Sequence, residues 1–226
     1  MKCTICGGTK FNKNKVLWPE LCKEWGLNPN EIEYINNQQG FSCVQCGNNL
    51  RSMALAKAIL SHLQDRDTLS KALTRFRYRK LRLLEINKAG NLSPYLIKLP
   101  KHLLIEYPEA DMMNLQFQEG TWDMVVHSDT LEHVPDPLKG LQQIHRILKK
   151  GGVCIFTIPI IIGRMTRSRE GLQPSFHGDP NNQCSDYKVI TEFGADAWTF
   201  AMSAGFEMCK IHAIDYPSGI ALEAVK

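Results

Sequence analysis

Two closely spaced pairs of cysteines lie near the start of the sequence. Cys3 and Cys6 form one Cys-x-x-Cys pair, and Cys43 and Cys46 form the other, each followed directly by a glycine. Such a pair can turn tightly and point two thiolates at one ion, and four thiolates in a tetrahedral array suit zinc. Because four protein ligands close the coordination sphere, we expect a structural zinc rather than a catalytic one. Two unrelated turns or a redox pair are the alternatives.

A histidine and an aspartate, His177 and Asp179, lie in the long polar stretch that follows Pro159. An imidazole can take a proton from a substrate hydroxyl near neutral pH, and a neighbouring carboxylate can orient it. A stretch of this length between sheet elements is typical of a lid or binding loop. We therefore expect the His–Asp pair to contact substrate; a polar turn held by its own hydrogen bonds is the alternative. Three arginines of the same stretch could hold a phosphate or a carboxylate: Arg164, Arg167 and Arg169.

Residues 122–159 predict the element that must position these groups. An apolar run follows Asp123, and a segment with apolar residues on one helical stripe comes next. Lys149 and Lys150 are expected in the last turn of that helix, and Gly151 and Gly152 are expected to end it before a second apolar run. A strand, a helix and a strand in this order make a βαβ unit with parallel neighbouring strands. Ligands of such open sheets bind beyond the carboxyl ends of the strands, which places residues 127–129 at a site.

The same stretch resembles the class I S-adenosylmethionine-dependent methyltransferases, in particular the group with an LEHVxD segment. The matching parts are WDMVV, LEHVPDP, LKKGG and TIP, in that order, with Trp122 where Phe is common. The resemblance covers residues 80–226 and implies a seven-stranded, doubly wound, Rossmann-like α/β sheet. Because the cysteine section lies outside it, we divide the chain into a zinc-binding module, residues 1–48, and a methyltransferase domain, residues 49–226.

In the module we expect a short helix near residues 20–25 plus loops. In the domain we expect helices over residues 49–63, with Asn48 or Asn49 as N-cap, and over residues 192–204. Arg51 is expected to be solvated or locally paired, with anion binding as the alternative.

The resemblance also implies a set of contacts to the cofactor, S-adenosylmethionine. Glu85 and Glu106 match acids at the ends of the first two core strands, and a carboxylate at the second position suits two ribose hydroxyls. The family's glycine-rich loop keeps only Gly90, with Asn87 and Lys88 in place of small residues; asparagine tolerates the positive φ of such a turn. The remaining implied contacts are Tyr107 covering the adenine, Asp111 accepting from its amino group, Met112 packing on the ring and His127 facing the methionine portion. His133, at the start of the next helix, is a further candidate for the base.

Composition limits the other classes of function. The chain has 226 residues, 43% of them hydrophobic, which suffices for one core and a small module. A net charge of +4 does not demand a nucleic-acid or membrane partner. No apolar run approaches the ~20 residues of a membrane span, and no signal peptide is visible, so we expect a cytoplasmic protein. The basic run at 75–82 could suggest RNA contact, but nearby acids favour a solvated edge.

The expected function is transfer of a methyl group from S-adenosylmethionine to a small-molecule acceptor, a hydroxyl of a sugar-like or other metabolite. Such an in-line displacement needs alignment and one base. One alternative is an RNA or protein methyltransferase whose zinc module binds the substrate. The other is a non-catalytic scaffold, because the loop at 87–90 departs so far from the family pattern. The sequence leaves the oligomeric state open.

Overall fold

The structure, a computed structural model, describes residues 1–176 and 187–226. It begins with an antiparallel hairpin whose strands are far apart in the sequence. The strand β1 (Phe11–Lys13) pairs with β2 (Phe41–Cys43). Residues 14–40 between them, here called the insertion, carry the helices α1 (Pro19–Glu24) and α2 (Pro29–Gly40).

The two ends of the insertion meet at the hairpin. Asn14 N–H donates to the Gly40 carbonyl oxygen at 3.0 Å, and a Cβ on residue 40 would lie 1.9 Å from the Asn14 carbonyl oxygen. Only glycine fits this approach. Helix α2 starts with a reciprocal cap, in which Asn28 accepts from the Glu31 N–H and Glu31 accepts from the Asn28 N–H. The sequence reading expected one short helix followed by loops here, so this second helix is a correction.

Two helices connect the hairpin to the main sheet. Asn49 caps α3 (Leu50–His62) by accepting from the Ser52 N–H at 2.9 Å, as predicted, and α4 (Leu69–Ala72) follows. The basic run at 75–82 then folds back on an acid, because Arg75 and Arg77 both donate to the Asp65 carboxylate. The Asp65 carboxylate thus neutralises part of the positive charge of this run, so these two arginines do not require a nucleic-acid partner.

The main sheet has six strands among the described residues. Its parallel part consists of β3 (Leu83–Ile86), β4 (His102–Ile105), β5 (Trp122–Ser128) and β6 (Leu148–Thr157), with α5 (Ser93–Leu96) between the first two and α6 (Pro137–Ile147) between the last two. A hairpin completes the sheet on the other side of β6, formed by β10 (Met208–Ile214) and β11 (Gly219–Val225). The strands lie in the order β10-β11-β6-β5-β3-β4.

Alternate residues of each strand face two different apolar layers. Leu83, Met124 and Val126 pack against α3 on one face, and Leu84, Val125 and Phe156 pack against α6 on the other. This alternation follows from the two-residue period of a strand. Helices therefore cover both faces, as predicted for a doubly wound fold.

The predicted seventh strand is not found in the described residues. Residues 106–121, between β4 and β5, hold only one short helical turn, Met112–Asn114. A crossover between parallel strands takes a dozen or more residues, so this connection is too short for a helix and a further strand. As a result β4 forms the edge of the sheet, with Leu103 40% exposed.

The double glycine does not end the helix as predicted. Helix α6 stops at Ile147 and β6 starts at the next residue, so Gly151, at φ +73°, lies in an irregular part of the strand. Lys149, expected in the last helical turn, instead donates to Asp123 at 2.5 Å.

A small three-stranded sheet follows β6. It contains β7 (Ile160–Ile161), β8 (Arg167–Ser168) and β9 (Thr191–Gly194), in the order β7-β9-β8. Helix α7 (Trp198–Ser203) then leads to the final hairpin, so the helix predicted over residues 192–204 is a strand followed by a shorter helix.

Candidate functional site

The end of β3 carries a carboxylate that faces inward. Glu85 is fully buried, and its Oε1 accepts from the Ala89 N–H at 2.9 Å and from the Ser93 hydroxyl. His102 Nε2 lies 2.7 Å from its Oε2. The side chain thus supports the following loop from below and offers no exposed atom to a ligand. This differs from the direct cofactor contact that the resemblance implied for Glu85.

The loop after Glu85 forms the expected turn without the family's glycines. Asn87 has φ +55°, and its side-chain oxygen accepts from the Tyr107 N–H at 2.9 Å, which ties the end of β3 to the end of β4. Gly90 has φ +54°, and a Cβ placed there would meet no atom within 4 Å. The backbone of this turn is therefore open to close approach by a ligand.

The acid at the end of β4 lies at the surface. Glu106 Oε2 is 3.2 Å from Lys88 Nζ, and the two side chains are 43% and 63% exposed. An exposed pair of this kind contributes about 0–1 kcal/mol, so a ribose could replace the lysine at little cost. Tyr107 next to it is 55% exposed, and its predicted place over an adenine stays a prediction.

Asp111 and Met112 serve the short helical turn between β4 and β5. Asp111 Oδ1 accepts from the Met113 N–H at 2.8 Å and caps that turn. Met112 is only 4% exposed, and its sulfur would lie 3.1 Å from a Cβ on Gly140, so the absence of that Cβ makes room for the thioether. Met112 is therefore a core residue under α6, which corrects its predicted stacking on an adenine ring.

His127, near the end of β5, is also internal. Its ring is fully buried and stacks on Phe156 at a centroid distance of 4.8 Å. Neither ring nitrogen has a hydrogen-bond partner within the part of the chain that the structure describes. Burial lowers the pKa of His127 to about 4, so the ring is neutral at physiological pH. Its predicted contact with the methionine portion of the cofactor is not available to this buried ring.

An arginine that the sequence reading placed at the surface is buried beside the strand ends. Arg51 of α3 is 1% exposed and donates through Nη1 to Asp129, the residue after β5. Burial lowers the pKa of Arg51 to about 10, and the negative charge of Glu132, which raises it, offsets only part of this effect. Its Nε and Nη2 have no hydrogen-bond partner among the described residues. No periodicity signals this pair, because its members are far apart in the sequence.

A cavity of about 430 Å³ lies beyond the carboxyl ends of β5 and β6. Its lining is mostly apolar and aromatic. The insertion contributes Val16, Leu17, Trp18, Leu21, Trp25, Leu27, Ile35, Gln38 and Gln39. The rest of the chain contributes Asp129, His133, Pro159, Ile160, Ile161, Phe176 and Tyr187. The sequence reading missed this role of the insertion; the only available signal was the clustering of apolar and tryptophan residues between the two cysteine pairs.

His133 is the candidate base that the structure describes at this cavity. Its Nδ1 lies 2.9 Å from the Lys188 carbonyl oxygen, which can only accept, so Nδ1 carries the proton. In the neutral ring Nε2 is then the basic nitrogen, and it lies 3.7 Å from Glu132 Oε1. His177 and Asp179 fall outside the described residues. Their neighbours along the chain, Phe176 and Tyr187, line the cavity.

The three arginines expected to hold an anion are engaged with carboxylates of the protein. Arg164 pairs with Glu31, and Arg167 pairs with Glu192. Arg169 pairs with both Glu24 and Glu192. These ion pairs replace the predicted contact with a substrate phosphate or carboxylate.

The four predicted zinc ligands come together in space. The sulfur atoms of Cys3, Cys6, Cys43 and Cys46 all lie within 4.8 Å of one another. The Cys3–Cys46 sulfur distance is 3.7 Å, and the Cys6–Cys43 distance is 3.6 Å. A tetrahedral zinc with bonds of about 2.3 Å separates its sulfurs by roughly 3.8 Å, so this cluster fits such an ion.

Every helix among the described residues is too short or too polar to cross a bilayer.

Comparison with known proteins gives matches to the central part of the chain. The family model described as a methyltransferase domain matches residues 84–156. A demethylmenaquinone methyltransferase of Clavibacter sepedonicus is 29% identical over 100 residues, which are 42% of this chain and 40% of that protein. A 2-methyl-6-phytyl-1,4-hydroquinone methyltransferase of Oryza sativa subsp. japonica is 35% identical over 52 residues, 23% of this chain and 16% of that protein. The chain thus spans two fifths or less of the length of these relatives.

One solved structure, a SAM-dependent methyltransferase of Thermotoga maritima, is 21% identical and aligns with a TM-score of 0.43 over 77% of this chain and 92% of that one. The family match itself runs from Leu84 in β3 to Phe156 in β6, through the strand ends described above. The segment from β3 to β6 therefore matches a methyltransferase domain in sequence. This confirms the predicted class of enzyme for the part of the chain that the match covers.

Proposed function

We propose that the protein transfers a methyl group from S-adenosylmethionine to a small-molecule acceptor. The observation that carries the proposal is the position of the aromatic cavity, which opens at the carboxyl ends of β5 and β6, within the strands that the methyltransferase match contains. Ligands of open parallel sheets bind at this edge. Donor and acceptor can therefore meet there.

The turn at 87–90 would hold the donor. Gly90 leaves the backbone open, and Asn87 fixes the turn by its bond to the Tyr107 N–H. Glu106 would bind the ribose hydroxyls after release from Lys88, and Asp111 stays a candidate for the adenine edge. When bound, S-adenosylmethionine supplies a methyl group on a positively charged sulfur, which is already activated for displacement. The protein then has to align the acceptor and accept one proton.

The lining of the cavity favours an apolar ring as acceptor over the predicted sugar-like metabolite. A sugar brings several hydroxyls, and each one buried without a partner costs about 1–3 kcal/mol. The polar residues of the lining are few: Gln38, Gln39, Asp129, His133 and the Tyr187 hydroxyl. The two relatives named above act on a demethylmenaquinone and on a phytyl hydroquinone, according to their names. A flat aromatic ring that bears few hydroxyls, as a quinol does, fits both considerations.

His133 would accept the proton of that hydroxyl. The carbonyl of Lys188 fixes the tautomer whose basic nitrogen is Nε2, and the ring lines the cavity. A fixed tautomer is what a general base of this kind requires. The His177–Asp179 pair stays a prediction for a second contact with the substrate.

The cysteine cluster would hold a structural zinc. Its four sulfurs leave no ligand position for a substrate, and its two pairs flank the hairpin from which the insertion extends. The ion would fix the base of that hairpin. It would take no part in the displacement.

Calorimetry with S-adenosylhomocysteine, the demethylated product, tests the donor site. We expect binding of one molecule per chain, lost when Gly90 is replaced by valine, whose side chain would fill the open turn. Absence of binding at millimolar concentration would refute the proposal and favour the scaffold alternative. Methyl transfer from radiolabelled S-adenosylmethionine to a panel of quinols, sugars and RNA then separates the acceptor classes.

A further inference from the structure

The insertion forms more than half of the cavity lining, although it lies outside the methyltransferase match. Two tryptophans of the insertion, Trp18 and Trp25, line the cavity. Ile160 and Ile161 of β7 and the polar pair Asp129 and His133 line it as well. The insertion and the residues after the strand ends therefore enclose one common space.

The position of Trp25 is determined by the segment that follows β6. Its indole N–H donates to the Ser175 hydroxyl at 2.8 Å, and the Arg169 guanidinium lies 4.9 Å from the centre of its ring. A guanidinium at this distance from an indole is attracted to the ring face. The indole therefore has a defined orientation along the cavity wall.

A single guanidinium joins the two helices of the insertion to the same segment. Arg164 Nη1 donates to the Trp25 carbonyl oxygen at 2.8 Å, and Nη2 donates to the Gly26 carbonyl oxygen at 2.9 Å. Its Nε and Nη2 also bind both oxygens of Glu31, at 3.0 and 2.7 Å. Hydrogen bonds from Arg164 hold the pKa of Glu31 below its usual range, although burial alone would raise it.

The backbone of Arg164 is itself fixed. Its N–H donates to the Ile161 carbonyl oxygen at 3.0 Å. A Cβ on Gly194 would lie 2.1 Å from the Arg164 carbonyl oxygen, so β9 passes directly against this residue. The guanidinium thus links the carbonyl end of α1 and the first turn of α2 to the small sheet, at one side of the cavity.

We propose that the insertion is the acceptor-selecting element of this methyltransferase, and that Arg164 is the positioning residue that holds it over the cavity. The acceptor class is a flat apolar ring bearing one hydroxyl. The ring lies against the indoles of Trp18 and Trp25, and the hydroxyl lies toward His133 and Asp129. This inference rests on the proposed function for its reaction, but it concerns a separate binding event.

The experiment measures two dissociation constants on the same zinc-loaded full chain. The ring probe is 1-naphthol, which is flat and redox-stable and carries one hydroxyl; methyl glucoside is the polar comparison. S-adenosylhomocysteine reports the donor site. The variants are Arg164→Gln, Arg164→Lys and the matched control Arg167→Gln, which removes an exposed arginine that pairs with Glu192 and not with the insertion.

We expect Arg164→Gln to weaken 1-naphthol binding at least tenfold, and to leave S-adenosylhomocysteine binding within threefold of the wild type. Arg164→Lys should recover part of the loss, because an ammonium keeps the charge but its three donors cannot reproduce the four hydrogen bonds of the guanidinium fork. The control Arg167→Gln should change neither constant by more than threefold. Wild-type binding of methyl glucoside should be at least tenfold weaker than that of 1-naphthol.

A second variant keeps the proposal open to refutation if Arg164→Gln does not fold. Leu21→Trp adds a large ring to the cavity wall without removing any contact of Arg164, and should abolish 1-naphthol binding alone. Equal effects of Arg164→Gln on both ligands, or unchanged 1-naphthol binding in Leu21→Trp, would overturn the inference. If the wild type binds 1-naphthol but not S-adenosylhomocysteine, the proposed reaction fails and the ring site stands.

Discussion

Glu85 and Glu106 lie at neighbouring strand ends, and replacing each by glutamine should affect different properties. Glu85→Gln should lower the stability of the fold, and Glu106→Gln should weaken binding of the cofactor product. Glu85→Gln removes a buried carboxylate that accepts from Ala89 N–H and Ser93 and meets His102. The amide keeps one acceptor oxygen, but its NH₂ group faces His102 Nε2. We expect the free energy of unfolding to fall by roughly 1–3 kcal/mol, the usual effect of leaving a buried polar group poorly paired.

Glu106→Gln is the matched control, because its side chain is 43% exposed and its ion-pair partner is an exposed lysine, Lys88. We expect a change in unfolding free energy of at most about 1 kcal/mol. Its effect should fall on the donor. Loss of charge-assisted hydrogen bonds to a ribose is worth about 1.5–3 kcal/mol, which is about 10- to 150-fold in the dissociation constant of S-adenosylhomocysteine.

The assay combines urea unfolding, followed by far-ultraviolet circular dichroism, with calorimetry of S-adenosylhomocysteine for each variant. In Glu85→Gln the dissociation constant should change by less than about threefold, since the retained oxygen still orders the turn. The reasoning is wrong if Glu85→Gln binds the product tenfold more weakly at unchanged unfolding free energy. That outcome would mean that Glu85 contacts the ligand, as the resemblance implied.

Three further predictions concern pH, the metal and the base. Burial would raise the pKa of Glu223, but hydrogen bonds from His212, His62 and Lys210 hold it well below its usual value of 4.5. A lowered folded-state pKa stabilises fully above the unfolded-state pKa, and this stability is lost progressively as the pH falls from there toward the folded-state pKa. Glu223→Gln should therefore destabilise at pH 7 and destabilise less at pH 3.5, as urea unfolding at the two pH values can measure. Elemental analysis should find one zinc per chain in the wild type and none in Cys3→Ser, with a lowered unfolding temperature; a metal-free wild type of equal stability would contradict this. His133→Asn should reduce methyl transfer to a hydroxyl by about 10²–10⁴-fold with unchanged product binding, and an equal loss of product binding would argue against its role as base.

The parts of the fold that depend on local patterns were predictable from the sequence. The βαβ unit at 122–159 and the helix capped by Asn49 follow from periodicity and capping, and the structure contains both. The two cysteine pairs also meet as their spacing indicated. The second helix of the insertion could have been read from Asn28-Pro29 and Glu31, which form a capping box with proline in the first turn.

The features that depend on distant contacts were not predictable. Whether Glu85 faces a ligand or the loop beneath it depends on His102, 17 residues away on the next strand. The partners of Arg51 and Arg164, Asp129 and Glu31, are 78 and 133 residues away in the sequence. For this reason Arg51 was expected to be solvated or locally paired, and Arg164 was expected to hold an anion of the substrate. The absence of a seventh strand from the described part of the main sheet was the exception, since the stretch at 106–121 is too short for a helix and a further strand between β4 and β5.

The closed base of the insertion has a consequence for variation among related chains. Because Asn14 and Gly40 meet in one hairpin, the polypeptide between them can lengthen or shorten without moving either strand or the sheet. The entropy of closing such a segment grows only slowly with its length, by about 0.6 kcal/mol for each doubling. Related chains could therefore carry insertions of different size above the same main sheet. One scaffold could in this way accept metabolites of different shape.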